Sequence, residues 1–139
     1  MTISIEAVGA QPQLSFSQAV LAGDTLYVSG QIAISTDGGL VGADDASRQA
    51  EQCFDNLEAV LRDAGMGLDD VVKLTCFMVS AADYPAYRDV KVARLPRTTP
   101  ASTGVVVTAL LVEGARFEVE AIAVRRERGD GPPESPAGA

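Results

Sequence analysis

Pro100-Ala101-Ser102-Thr103-Gly104-Val105-Val106-Val107-Thr108-Ala109-Leu110-Leu111-Val112-Glu113-Gly114-Ala115-Arg116-Phe117-Glu118-Val119-Glu120-Ala121-Ile122-Ala123 is the stretch on which the fold turns. Val105 to Val112 is an almost unbroken apolar run rich in β-branched residues, the pattern of a buried strand. Glu113-Gly114-Ala115 reads as a turn, with Gly114 free to take positive φ. The chain then returns as Phe117, Val119, Ala121 and Ala123, alternating with Glu118, Glu120 and Ile122. One face of this strand is apolar and the other carries two glutamates. Pro100 fixes the entry, and Ser102, Thr103 and Gly104 form a small mouth bearing hydroxyls. Turn length sets the register: three residues put Glu118 beside Ser102 and Gly104, whereas a two-residue turn brings Thr103 to that face instead.

Upstream, Asp70 to Val79 reads as a strand, apolar on both faces except at Lys73 and Thr75. A helix fits Asp83 to Leu95, with Tyr84, Tyr87, Val90, Val92 and Leu95 on its apolar side and Pro96 as its stop. A more regular helix starts at a cap, Asp44 or Asp45. It continues through Ala46, Ala50, Cys53, Phe54, Leu57, Val60, Leu61 and Ala64 at the 3–4 spacing of one buried stripe, and Gly65 ends it. Its wet side holds Arg48, Gln49, Glu51, Gln52, Asp55, Glu58 and Arg62. Phe16 to Leu21 and Thr25 to Ser29 form two strands about an Ala22-Gly23-Asp24 turn, and Ile32 to Ile34 continues the second. Gly30 between them is either a bulge or a point of close backbone approach. Thr2 to Ala7 fits an edge strand, and Gln11-Pro12-Gln13 a loop. The order implies an α+β domain over residues 1–126, with a mixed, mainly antiparallel sheet of about six strands and two helices on one face. A disordered tail is expected over 127–139. The sheet's second apolar face needs a cover, and symmetric self-association supplies one economically.

A chain of 139 residues is one domain, long enough to bury about two-thirds of its unfolded surface. Its 47% apolar content and mean hydropathy of +0.14 are high for a small domain. No apolar run reaches the roughly 18 residues of a membrane helix, and Met1 opens no secretory leader. The expectation is a cytoplasmic protein with no membrane partner. A net charge of −8 without a basic stripe argues against nucleic acid as a partner. Cys53 and Cys76 lack metal-ligand spacing and read as small buried hydrophobes. The absence of histidine removes Ser-His-Asp and Cys-His catalysis, histidine zinc sites and imidazole acid–base chemistry together.

Phe16-Ser17-Gln18-Ala19, Val28-Ser29-Gly30-Gln31-Ile32, Gln52 to Leu57 with Asn56, Val71-Val72-Lys73, Pro100-Ala101 and Glu118-Val119-Glu120-Ala121-Ile122-Ala123 together resemble the reactive-intermediate (enamine/imine) deaminase family, the Rid or YjgF-like proteins. The likeness runs from about Phe16 to Arg126. It implies a chorismate-mutase-like fold, a homotrimer, and small-molecule sites in the clefts between subunits. It further implies hydrolysis of imino or enamine acids to keto acids and ammonia, with no metal or cofactor. By position, the resemblance lines the cleft with Phe16, Ser29, Gly30, Ser102, Gly104 and Glu118, and it favours the three-residue turn. This chain departs from the pattern at Ser102, where the family's deaminases carry an arginine that grips the substrate carboxylate. One hydroxyl cannot replace a bidentate guanidinium. Phe16 replaces a phenol, and Gly104 a small side chain. The ribonuclease activity sometimes ascribed to the family is disfavoured here by acidity and the missing histidine.

Imine hydrolysis needs a water aimed at an electrophilic carbon and proton transfer to nitrogen. Glu118 is the candidate general base, with Ser102 or Thr103 as orienting hydroxyl and Phe16, Ser29, Gly30 and Gly104 contacting substrate. An apolar wall would raise the Glu118 pKa by desolvation. Read from the residues alone, Glu118 and Glu120 also fit an ordinary solvated strand face. Two functions remain open: an enzyme that hydrolyses or isomerises an imine, enamine or related intermediate, its substrate preference changed with Ser102, or a non-catalytic binding module of the same fold. Arg97 is a further candidate to replace the lost guanidinium.

Overall fold

The computed structural model describes residues 2–11 and 14–126. The expected tail over 127–139 lies outside these residues, as do Pro12 and Gln13 of the first loop. Six strands form one sheet in the order β1-β2-β3-β6-β4-β5: β1 (Ile5–Gln11), β2 (Phe16–Ala22), β3 (Thr25–Gln31), β4 (Val71–Met78), β5 (Ala101–Val106) and β6 (Phe117–Val124). Neighbours are antiparallel except β4 and β5, which run parallel because α2 (Tyr84–Arg94) carries the chain back between them. With α1 (Ala46–Asp63), α2 covers one face of the sheet. Among the described residues no helix is long and apolar enough to cross a membrane.

The α1 stripe behaves as its spacing requires. The Asp45 carboxylate caps the helix by accepting from Arg48 N–H at 3.0 Å, and Gly65, at φ +74°, turns the chain out after Ala64. Phe54, Leu57 and Leu61 are fully buried against the sheet. Each such side chain contributes about 1.5–3 kcal/mol, against about 1 kcal/mol for a cap, so packing holds this helix. Both cysteines are free and buried, Cys53 on α1 and Cys76 on β4. Asn56, in the Gln52–Leu57 segment, is a structural tie: its amide donates to the carbonyls of Ile32 and Ile34 at 2.8 and 2.9 Å.

Several sequence expectations change. β1 starts and ends later than Thr2–Ala7, and Gln11 belongs to it. β3 stops at Gln31, beyond which Ile34 makes only an isolated bridge with Leu40. Val92 is 65% exposed rather than on the buried side of α2. Gln49, placed on the wet side of α1, is fully buried: its amide donates to the carbonyls of Gly42 and Gly114, and its oxygen accepts from Arg116 N–H.

The largest correction concerns the quoted stretch. β5 and β6 are not a hairpin, because β4 lies between them. β5 ends at Val106 and is exposed along its length, and Val107 to Arg116 form a loop in which Leu111 is fully exposed. The end of β4 takes the bonds a hairpin would have made: Val107 N–H donates to Met78, and Val79 N–H to Arg116. Gly114 does adopt positive φ, +84°, held there by Gln49.

Candidate active site

The sheet's uncovered face carries the glutamates. Pairing puts Glu118 opposite Phe77 and Glu120 opposite Thr75 on β4; Phe77 and Thr75 in turn face Val105 and Thr103 on β5. On the other side, β3 makes a bulge: Val28 pairs with Ala121 but Gln31 with Val119, so three steps on β3 match two on β6. Gly30 sits in that bulge directly under the Glu118 side chain. A Cβ there would stand 2.7 Å from both Cγ and Cδ of Glu118. The two readings of Gly30 therefore both hold, since the bulge and the close approach are one feature.

Glu118 is half-buried and Glu120 exposed, and both line a cleft of about 360 Å³ with Phe77, Val107, Ala109, Leu110 and Leu111. Burial against these apolar walls raises the Glu118 carboxyl above its ordinary pKa, and the neighbouring Glu120 charge adds to the effect. The 107–116 loop is thus the apolar wall of the glutamate cleft. Gln49 anchors its far end.

Of the seven site residues expected from sequence, four lie on one face, two on the other, and Ser29 is tied to its own sheet neighbour. Phe16, Gly30, Glu118 and Thr103 are on the uncovered face, where strand alternation puts the 46%-exposed Phe16 at the Glu118 end of β2. Ser29 Oγ is engaged locally, donating to the Ser17 carbonyl at 2.7 Å. Ser102 and Gly104 are on the helix side, opposite Leu74 and Cys76. The three-residue turn reading, which put Glu118 with Ser102 and Gly104, is therefore wrong for a single chain. Thr103 shares the Glu118 face, not because of turn length but because β4 intervenes. Arg97 is held near Asp69, N to O 3.8 Å, in a hollow at the end of α2, away from the glutamate cleft.

Two lysines missed as site residues flank β5. Lys73 donates to Thr103 Oγ1 at 2.6 Å on the uncovered face, and Lys91 donates to Ser102 Oγ at 3.2 Å on the helix side. Their rarity was a usable signal, because the chain has no other lysine. Burial raises the Cys53 thiol, and raises the Cys76 thiol to about 12 against the pull of the Lys91 ammonium, which disfavours the thiolate form of both. Among the described residues no three His, Cys, Asp or Glu side chains gather to hold a metal ion.

A family model described as endoribonuclease L-PSP matches residues 7–125. A 2-iminobutanoate/2-iminopropanoate deaminase of Dermatophagoides farinae is 37% identical over 114 residues, 82% of this chain and 88% of that protein. The protein of the same name from Rattus norvegicus is 34% identical over 119 residues, 86% and 82% of the two chains. Among solved structures, the Rid-family protein YyfA of Yersinia pestis superposes with a TM-score of 0.81 at 33% identity, over 88% of this chain and 100% of the other. RidA of an Antarctic Psychrobacter gives 0.76 at 34% identity, over 90% and 99%.

Proposed function

This chain belongs to the YjgF/Rid family, whose model carries the endoribonuclease L-PSP description, and from that premise we propose that it hydrolyses a small imine or enamine to a carbonyl compound and ammonia. Its fold is the family's chorismate-mutase-like α+β fold. The observation that carries the proposal is Glu118, a half-buried carboxylate seated on the Gly30 bulge and walled by the 107–111 loop. Protonation of the imine on nitrogen, or of the enamine on carbon, gives an iminium ion. Ionised Glu118 takes a proton from a water, whose oxygen bonds to the iminium carbon as the C=N π electrons move to nitrogen. The resulting carbinolamine gains a proton on nitrogen, loses one from oxygen, and expels ammonia as the carbonyl forms. No metal or cofactor is required for these steps.

Ser102 and Glu118 occupy opposite faces of one sheet, so a single protomer cannot bring both to one substrate. We place the reaction in a cleft between subunits of a homotrimer in the cytoplasm, where the β5 edge of one protomer, with Ser102 and Gly104, meets Glu118, Gly30 and Phe16 of the next. The uncovered face supports this: Tyr27, Val105 and Val124 are exposed on it by 52%, 39% and 37%. Without an arginine at 102, substrate preference differs from that of deaminases that hold a carboxylate bidentately. That same loss favours a second reading, a non-catalytic trimer that binds a small molecule in its clefts.

Ammonia release from imines generated in situ, with carboxylated and uncarboxylated imines compared, tests the proposal. Acceleration that Glu118→Gln abolishes while the oligomer stays intact is the expected result. Ligand binding without acceleration of any imine would overturn the enzyme in favour of the binding module.

A further inference from the structure

Two glutamines, Gln31 and Gln49, are buried among the described residues. Gln49 ties the Gly42 and Gly114 carbonyls to α1. Gln31 joins no such loops, yet an amide taken out of water is costly unless its protons find acceptors. Both protons find one. Gln31 Nε2 donates to the Ser29 carbonyl at 2.9 Å and to Gln18 Oε1 on β2 at 3.0 Å.

The first of these bonds spans a single residue, Gly30. It lies where β3 takes three steps against two on β6, and a bulge takes backbone groups out of the ladder. Gln31 supplies a partner there: its side chain reaches back to the Ser29 carbonyl and closes a ring around Gly30. Glycine has the most backbone freedom of any residue, so without this ring Gly30 would be the loosest point of the bulge. Neighbouring elements hold the bulge as well. On the β2 side, Ser29 Oγ donates to the Ser17 carbonyl. On the α1 side, Asn56 donates to the Ile32 carbonyl, and Gln52 donates to Asn56 Oδ1 at 2.9 Å. Gly30 thus sits between fixed points, directly under the Glu118 side chain.

We propose that Gln31 is a positioning residue for Glu118: its amide, bonded to the Ser29 carbonyl, locks the Gly30 bulge and so fixes the seat from which the carboxylate acts on water. The kinetic consequence rests on the imine-hydrolase reading, whereas the coupling of Gln31 to Glu118 does not. Gln31 acts through the Gly30 backbone. Its bond to Gln18 is the secondary one, because loss of the Gln18 acceptor leaves the Ser29 bond in place and loss of the Gln31 amide removes both. A displacement of about 1 Å in an aligned group costs roughly 100-fold in rate, so a loosened bulge reads in turnover before it reads in substrate binding.

The test pairs two readouts on the full-length protein: ammonia release from imines made in situ, and the ¹³C chemical shifts of the Ser29 carbonyl and the Glu118 carboxyl. Gln31→Met should lower kcat about 10- to 100-fold with KM little changed and the oligomer intact, and both shifts should move. Gln31→Glu keeps the shape while its carboxylate offers Ser29 no proton, and should behave alike. Agreement of the neutral and the charged variant leaves the missing donor as the shared cause, and either one carries the test if the other does not fold. Gln18→Met should leave kcat and both shifts close to native. Combined with Gly30→Ala, Gln31→Met should lose less than the two separate factors multiplied, because both displace the same carboxyl. Unchanged kcat in both Gln31 variants would overturn the positioning role and leave the hydrolase standing. So would an equal loss in Gln18→Met, multiplied losses with Gly30→Ala, or a Ser29 shift that moves while that of Glu118 does not. In a protein that accelerates no imine, movement of both shifts would uphold Gln31 and overturn the hydrolase, and an unmoved Glu118 shift would overturn Gln31 too.

Discussion

Gly30→Ala separates the chemistry of this site from its folding. Gly30 does not have a positive φ, so its backbone accepts alanine. The added methyl would stand 2.7 Å from Glu118 Cγ and Cδ, whereas carbon contacts settle at about 3.5–4.0 Å. The carboxyl must therefore retreat by about 1 Å, through rotation of its own side chain. Leaving a preferred rotamer costs about 0.5–1.5 kcal/mol. Replacing a compatible glycine with alanine recovers about 0.4–1 kcal/mol from the unfolded chain. The two nearly cancel, and the melting temperature should move by only a few degrees. Catalysis has no such offset: a shift of about 1 Å in a positioned group can cost roughly 100-fold in rate. The expected variant is folded, of native oligomeric state, and slowed about 100-fold in ammonia release. Combined with Glu118→Gln it should lose nothing further, since both changes remove the same aligned carboxylate. A folded variant at full rate would refute the reasoning, because the seat of Glu118 over Gly30 would then not matter. A loss of several kcal/mol would refute it differently, by showing that the β3 backbone yields rather than Glu118.

The remaining predictions concern charge and anchoring. Glu118 must be ionised to act as a base, and its raised pKa places the acid limb of the rate profile above the ordinary carboxyl range. Glu120→Gln removes the nearby negative charge, so the acid limb in kcat against pH should move to lower pH; no movement would remove Glu120 from the site's electrostatics. The stability sign follows from the same direction. A carboxyl whose folded pKa is raised contributes stability that is full below its unfolded pKa and is lost as pH rises through the folded pKa. Glu118→Gln should consequently leave stability at neutral pH equal or higher, as thermal melts across pH would read. Gln49→Leu keeps the volume but strips partners from the Gly42 and Gly114 carbonyls and the Arg116 N–H. At about 1–3 kcal/mol for each stranded group, it should destabilise by roughly 3 kcal/mol or more in urea unfolding, and loosen the wall beside Glu118. A loss under about 1 kcal/mol would show that these groups find other partners.

Local periodicity carried much of the fold. The α1 stripe, its Asp45 cap and Gly65 stop, the Gly23 turn and the alternation of β6 are all written in residues a few positions apart, where backbone geometry relates neighbours directly. The same spacing put Gln49 on the wrong side. Its burial depends on Gly114 and Arg116, which are 65 and 67 residues away. Of the candidate site, the two glutamates on one strand face and a special role for Gly30 were legible, because side chains alternate strictly along a strand. That Glu118 rests on Gly30 was not legible from either residue, since they meet only because β3 and β6 pair with a one-residue slip.

The quoted stretch marks the boundary most clearly. Its composition determined by itself that two strands flank a glycine turn region and that one of them presents glutamates on a single face. Only the tertiary structure decided that β4 enters between them, with α2 carrying the chain to a parallel β5. That insertion follows from pairing between segments far apart in sequence, which no local pattern encodes. It sends Ser102 and Gly104 to the helix side, leaves Thr103 with Glu118, and gives the chain's two lysines one to each face of the edge strand.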